Sequence, residues 1–177
     1  MTKKISAPLT DKDIEGLKTG DEVLISGKIY TARDAAHREF KDKPPFDLKG
    51  QILFYASPTP SRPGAVIGSI GPTTSSRMDA FTPPLLAAGL KAMIGKGERS
   101  PEVVEAMKRY KAVYLMVPGG VAALLAQYIK KASVIAYPEL GPEAVLELEV
   151  LDFPAIVAID SSGNDLFEAG KKKYQRV

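Results

Sequence analysis

Apolar and polar residues alternate near both ends of this chain. At 22–30, Val23 and Ile25 fall on one side and Ser26 and Lys28 on the other, and at 145–151 Glu147 and Glu149 face outward. A period of two is the mark of a half-buried strand. Further apolar runs of strand length occupy 51–56, 65–70, 112–117, 132–136 and 155–159, while 83–94, 101–110 and 121–129 carry helical patterns. Strand follows strand at both ends and helices interleave with strands in the middle, which predicts a mixed α/β fold rather than a fully alternating doubly wound sheet. With 177 residues, 45% of them hydrophobic, one core in a single domain 1–177 is expected.

Local signals set the boundaries. Thr10 or Asp11 caps a short helix over 10–16, and Gly20-Asp21 breaks the pattern that follows. ARDAAHREF at 32–40 places Arg33 and His37 four apart on one helix face, before Pro44-Pro45. Gly95-Lys96-Gly97 is expected to close helix 83–94, Ser100-Pro101 to open the next, and Gly119-Gly120 to turn. The run Lys171-Lys172-Lys173 reads as a solvated tail.

Composition removes several functions. The chain has no cysteine, which excludes a disulfide framework, a thiol nucleophile and self-supplied ligation of an iron–sulfur cluster. A net charge of +3 is too mild for a polybasic nucleic-acid binder. No signal-type run opens the chain and no apolar stretch reaches about 18 residues, so a cytoplasmic protein without nucleic-acid or membrane partners is expected. GxGxxG, GxxxxGK[ST], a nucleophile elbow and HExxH are all missing.

What remains is a candidate anion site. Between Asp47 and Asp79 there is no carboxylate, yet Arg62 and Arg77 lie there among Ser, Thr, Gly and Pro. The loop Gly71-Pro72-Thr73-Thr74-Ser75-Ser76-Arg77-Met78-Asp79 joins four consecutive hydroxyls to a guanidinium at a helix start, a set that suits a carboxylate or phosphate. An ordinary Ser/Thr-rich cap explains the same run. Arg33, Asp34 and His37 form a second cluster, read either as functional or as a surface ion pair with a structural histidine. Lys96 between two glycines reads either as close backbone approach to a ligand or as a helix C-terminal signal.

Taken together, TARDAAH at 31–37, FYASPTP at 54–60, GPTTSSRMD at 71–79, IGKG at 94–97 and DFPAIVAIDSSGND at 152–165 resemble the β subunit of two-subunit class I fumarate hydratases. That iron–sulfur-dependent hydro-lyase family also contains tartrate dehydratase, and the likeness covers nearly the whole chain. It implies a swivelling β/β/α domain with mixed sheets and helices in three layers. It also implies a companion α subunit, in an α2β2 assembly, whose three cysteines hold a four-iron four-sulfur cluster, this chain binding no metal itself. The implied reaction is reversible hydration of fumarate to (S)-malate. L-Tartrate dehydration is the alternative, and a non-catalytic dicarboxylate-binding module is the reading from another class. Carried onto matching positions, Arg33, Thr74, Arg77 and Lys96 bind the substrate carboxylates and Thr73 is the base for the C3 proton. A threonine hydroxyl is a very weak acid, so that role needs Arg77 and Lys96 to stabilise the alkoxide. His37 and Asp34 stand nearby, His37 either as orienter of Arg33 or, like Asp34, in the layer behind these residues.

Overall fold

The computed structural model describes residues 2–40 and 43–176; Met1, Lys41, Asp42 and Val177, which the domain 1–177 includes, lie outside the described residues. In chain order the elements are β1 (Lys3–Ser6), α1 (Asp11–Glu15), β2 (Glu22–Thr31), α2 (Asp34–Phe40), β3 (Ile52–Phe54), β4 (Ala56–Pro58) and β5 (Ile70–Pro72). A 3-10 segment (Ser75–Phe81), α3 (Thr82–Ala87), β6 (Ala92–Gly95), α4 (Pro101–Tyr110), β7 (Val113–Met116), α5 (Ala122–Ala126) and β8 (Ile129–Ala136) come next. A second 3-10 segment (Pro138–Glu143), β9 (Val145–Ile159) and α6 (Leu166–Tyr174) close the order. The architecture is mixed α/β, as the alternation of patterns requires.

Strands β2, β3, β6 and β7 pair in parallel, and β9 is antiparallel to both β7 and β2, so the hydrogen bonding returns to its starting strand. The sheet therefore closes on itself. β1 joins β2 in parallel, β8 extends β9, and β4 and β5 form a separate hairpin. Ile52, Phe54, Ala92, Ile94, Val113 and Leu115 fill one core inside the ring. Their neighbours Leu53, Met93 and Tyr114 face the other way, onto Phe40 of α2, Leu86 of α3 and Met107 of α4. Strands buried on both faces read as unbroken apolar runs, which is why 51–56 and 112–117 show no alternation. Each buried Val, Leu, Ile, Phe or Met side chain among them contributes about 1.5–3 kcal/mol by leaving water.

The caps follow their residues. Thr10 and Asp13 form a reciprocal capping box at α1, with Thr10 N donating to Asp13 Oδ2 at 2.8 Å. Ser100 caps α4, with Pro101 in the first turn.

Several expectations are corrected. Residues 83–94 do not form one helix: α3 ends at Ala87, Gly89 turns with φ 108 against Lys49, and Ala92–Gly95 is a strand in the ring. Lys96 thus follows a strand, not a helix. Of 65–70 only Ile70 enters a strand, because Gly68 folds onto Thr59, where a Cβ would overlap the carbonyl oxygen. The helix expected over 121–129 is only Ala122–Ala126, since Ile129 opens β8, and 145–151 and 155–159 are one strand that bends at Asp152, φ 52. The lysine run is solvent-exposed as expected, but it lies on helix α6 rather than in an unstructured tail, and Lys171 pairs with Glu98 at 2.9 Å and Glu168 at 3.0 Å.

Candidate active site

The parallel strands β2, β3, β6 and β7 present their carboxyl ends on one side, and the segments that leave them carry Arg33 and Asp34, Ser57, Lys96 and Gly119 respectively. Ligands in α/β sheets gather at such ends. The β4–β5 hairpin, with Ser57 opposite Gly71, brings the chain back to the same place. There Thr73 N donates to Tyr55 O at 2.7 Å, Lys96 N to Thr73 O at 3.3 Å and Ser75 N to Lys96 O at 2.9 Å. Thr74 and Lys96 are bridge partners on this short ladder. Two motifs well separated in sequence therefore form one piece of backbone.

The second cluster joins the first through charge. Arg77 Nε donates to Asp34 Oδ1 at 2.8 Å, and Asp34 Oδ2 lies 3.9 Å from Arg33 Nη2. Arg77 is 52% exposed, and its two terminal nitrogens make no hydrogen bond among the described residues. Lys96 likewise forms no salt bridge among the described residues, and its Nζ lies beside Gly119. These two cations keep donors for an anion. Arg33 is more engaged: Nη1 donates to Ser57 Oγ at 2.8 Å and Nη2 lies 3.4 Å from Glu143 Oε1. Glu143 also accepts from Ala35 N at 2.9 Å, pinning the start of α2. Nothing in the sequence singles out Glu143, which reaches the site from a 3-10 segment over a hundred residues away.

His37 is buried at 2% exposure, ringed by Phe40, Tyr55 and Phe81 with centroids 5.1, 5.6 and 5.6 Å away. Burial lowers its pKa from 6.5 to about 4, against a raising contribution from its bond to Arg33 O. The neutral ring must donate from Nδ1, which lies 2.8 Å from that carbonyl. His37 hence touches the Arg33 backbone rather than the guanidinium. Its Nε2, Arg33 Nε and Asp34 Oδ2 are buried without a hydrogen-bond partner among the described residues.

Of the four consecutive hydroxyls, Ser75 turns inward and is fully buried, while Thr73, Thr74 and Ser76 stay at the surface. Thr74 makes no side-chain capping bond to the 3-10 segment, so its hydroxyl is not committed as a cap. The arrangement offers guanidinium, ammonium and hydroxyl groups, which bind anions. An iron–sulfur cluster does not fit this donor set: the chain lacks cysteine, and no group of three or more His, Asp or Glu converges among the described residues.

Residues 2–170 match the family model described as Fumarase C-terminus. The chain belongs to this family. Its relatives include the putative L(+)-tartrate dehydratase subunit beta of Methanocaldococcus jannaschii, 43% identical over 96% of this chain and 93% of the relative. The L(+)-tartrate dehydratase subunit beta of Escherichia coli K12 is 34% identical over 98% of this chain and 90% of its own length. The aerobic class I fumarate hydratase of the same strain is 41% identical over 81% of this chain, which spans only 28% of that longer protein. In this member of the Fumarase C-terminus family, the ladder between Thr73 and Lys96 and the Asp34–Arg77 pair occupy the stretches TARDAAH, GPTTSSRMD and IGKG.

Proposed function

We propose that this chain is the β subunit of a heteromeric iron–sulfur hydro-lyase that reversibly hydrates fumarate to (S)-malate and is active only with an α subunit. The observation that carries the reading is the Thr74–Lys96 bridge, which joins the backbone of the two-threonine loop to that of Lys96, whose ammonium has no carboxylate partner among the described residues. Arg77, one turn further along, adds a fork suited to bidentate carboxylate binding. In this proposal Arg77, Lys96 and Thr74 hold the substrate carboxylates, and Thr73 Oγ1, as the alkoxide, takes the C3 proton in the dehydration direction to become the neutral hydroxyl and returns that proton to C3 in hydration. The same cations stabilise the threonine alkoxide and the charge that builds on the carboxylate as C3 loses its proton, an effect larger in the transition state than in the ground state. Arg33 takes a carboxylate by exchanging Ser57 or Glu143 as partner, and His37 and Asp34 hold the Arg33–Arg77 side in place. The cluster, whose Lewis-acid chemistry acts on the substrate hydroxyl when bound, is assigned to the α subunit. The assignment extends to a swivelling β/β/α domain, an α2β2 assembly and a cytoplasmic enzyme.

Fumarate is the first reading because the aerobic class I fumarate hydratase of Escherichia coli shares 41% identity over 152 residues with this chain. L-Tartrate is the second reading, favoured by the relatives of that name that align over almost the whole chain. Initial rates of the assembled complex on malate, fumarate and L-tartrate decide between them. A kcat/KM at least tenfold higher for fumarate is expected, and the reverse order assigns the chain to tartrate.

A further inference from the structure

Behind the Thr73–Lys96 ladder stands a buried polar network that the chemistry above does not use. Tyr114, on β7, has no exposed surface and one hydroxyl proton. Its Oη lies 2.9 Å from the Gly97 carbonyl, which can only accept, so Tyr114 donates there. Ser75 Oγ, 2.8 Å from the same oxygen, must then donate to Tyr114. Burial pushes the phenol pKa well above its ordinary range and keeps that proton in place. The chain Ser75 to Tyr114 to Gly97 spans the two segments that carry Thr73, Thr74 and Lys96. Gly95 makes the seat possible, since a Cβ there would overlap Ser75 Oγ. Gly97 adopts φ 79, a left-handed turn that delivers its carbonyl to the tyrosine. The Gly-Lys-Gly motif is thus explained by the groups flanking Lys96.

Arg99 extends the device. Its side chain has no exposed surface, and it donates from Nε to Asp79 Oδ1 at 2.7 Å and from Nη2 to Thr82 Oγ1 at 2.8 Å. The guanidinium lies 5.3 Å from the Tyr55 ring centroid and 5.1 Å from that of Tyr114. Asp79 Oδ2 accepts from Ser100 N at 2.7 Å. The 3-10 segment Ser75–Phe81 is therefore tied to residues 97–100 at Ser75 and again at Asp79. The Asp79 carboxylate, held by Arg99 Nε and Ser100 N, thereby ties one end of the 3-10 segment to the turn after Gly97.

We propose that Tyr114 is a positioning residue for the reaction: through Ser75 and the Gly97 carbonyl its hydroxyl sets the separation between the Thr73 and Thr74 hydroxyls and the Lys96 ammonium. This rests on the functional reading above. Tyr114→Phe removes one oxygen and keeps the ring and its contact with Arg99. In the anaerobically assembled complex with the α subunit, assayed with fumarate and with L-tartrate, kcat falls about 10- to 100-fold, as misplacement of reacting groups by a fraction of an ångström to 1 Å does. KM stays within about threefold and the melting transition of the complex moves little, a split that a merely structural hydroxyl would not give. Ser75→Ala gives a similar loss, and the double variant loses no more than the larger single effect, because both break one chain. Unchanged kcat per assembled complex in Tyr114→Phe, a loss explained wholly by reduced assembly, or additive losses in the double variant each overturn the proposal. If the unsubstituted complex turns over neither substrate, the functional reading fails and this inference falls with it. Full wild-type turnover with an unaffected Tyr114→Phe removes the positioning role alone.

Discussion

Asp34 and Arg77 are joined by a 2.8 Å charge-assisted hydrogen bond that links the start of α2 to the 3-10 segment after β5. Because the acid side is buried and the guanidinium half-exposed, Asp34 orients Arg77 while leaving two of its nitrogens for an anion. Asp34→Asn removes the charge and keeps the shape. The expected outcome is a KM for the dicarboxylate raised about threefold to tenfold with a smaller change in kcat, and a stability loss of about 1 kcal/mol or less, since one partner is solvent-screened. Steady-state kinetics and urea titration check both numbers.

Thr73→Ala deletes the proposed base without disturbing the Tyr55 and Lys96 backbone bonds that hold residue 73. Turnover falls about 10²- to 10⁴-fold while the melting temperature stays near the wild-type value. Arg77→Lys keeps the charge and loses the fork, and a fall in kcat/KM of about 30-fold is expected. Near-normal kcat in Thr73→Ala transfers the proton role to another group.

His37 gives a pH signature. It is the single histidine of the chain, and burial lowers its folded pKa from 6.5 to about 4. The unfolded chain therefore binds the proton more readily than the folded one between these values, so stability rises with pH across the window. Its contribution, roughly 3 kcal/mol, is fully present above pH 6.5 and lost as pH falls towards 4. Denaturant midpoints at pH 7 and pH 4.5 measure it. His37→Phe, which keeps a ring among Phe40, Tyr55 and Phe81, flattens the dependence over that interval.

Asp79→Ala leaves the Arg99 guanidinium buried without its carboxylate. A loss of about 3–5 kcal/mol in unfolding free energy is expected, far more than for an exposed pair such as Lys111–Glu15. Chemical denaturation of Asp79→Ala beside Glu15→Ala makes the comparison.

Local chemistry was legible where short-range rules decide. The alternation of Val23 and Ile25, the capping box at Thr10 and the Ser100-Pro101 start of α4 all stand in the structure as their residues indicate. The Pro83–Ile94 stretch misled because a helix and a parallel strand of the ring are both continuous apolar runs, and Gly89 alone marks the join. β1 has four residues and finds its order only by pairing with β2. The partners Glu143, Arg99 and Tyr114 were hidden for a related reason: their significance comes from contacts to Arg33, Asp79 and Ser75, far away in sequence, and no local spacing encodes them.

The central claim is that this chain is one half of a catalytic site, completed by a cluster-bearing subunit. The most direct measurement captures the tagged chain from an anaerobic lysate of its native host and assays the eluate for iron, for a co-purifying cysteine-containing subunit, and for hydration of fumarate against dehydration of L-tartrate. Iron, a stoichiometric second subunit and turnover that vanishes when the chain is separated from it are the predicted result. A chain that elutes alone, iron-free and inactive, yet binds dicarboxylates tightly, contradicts the account and identifies a binding module instead.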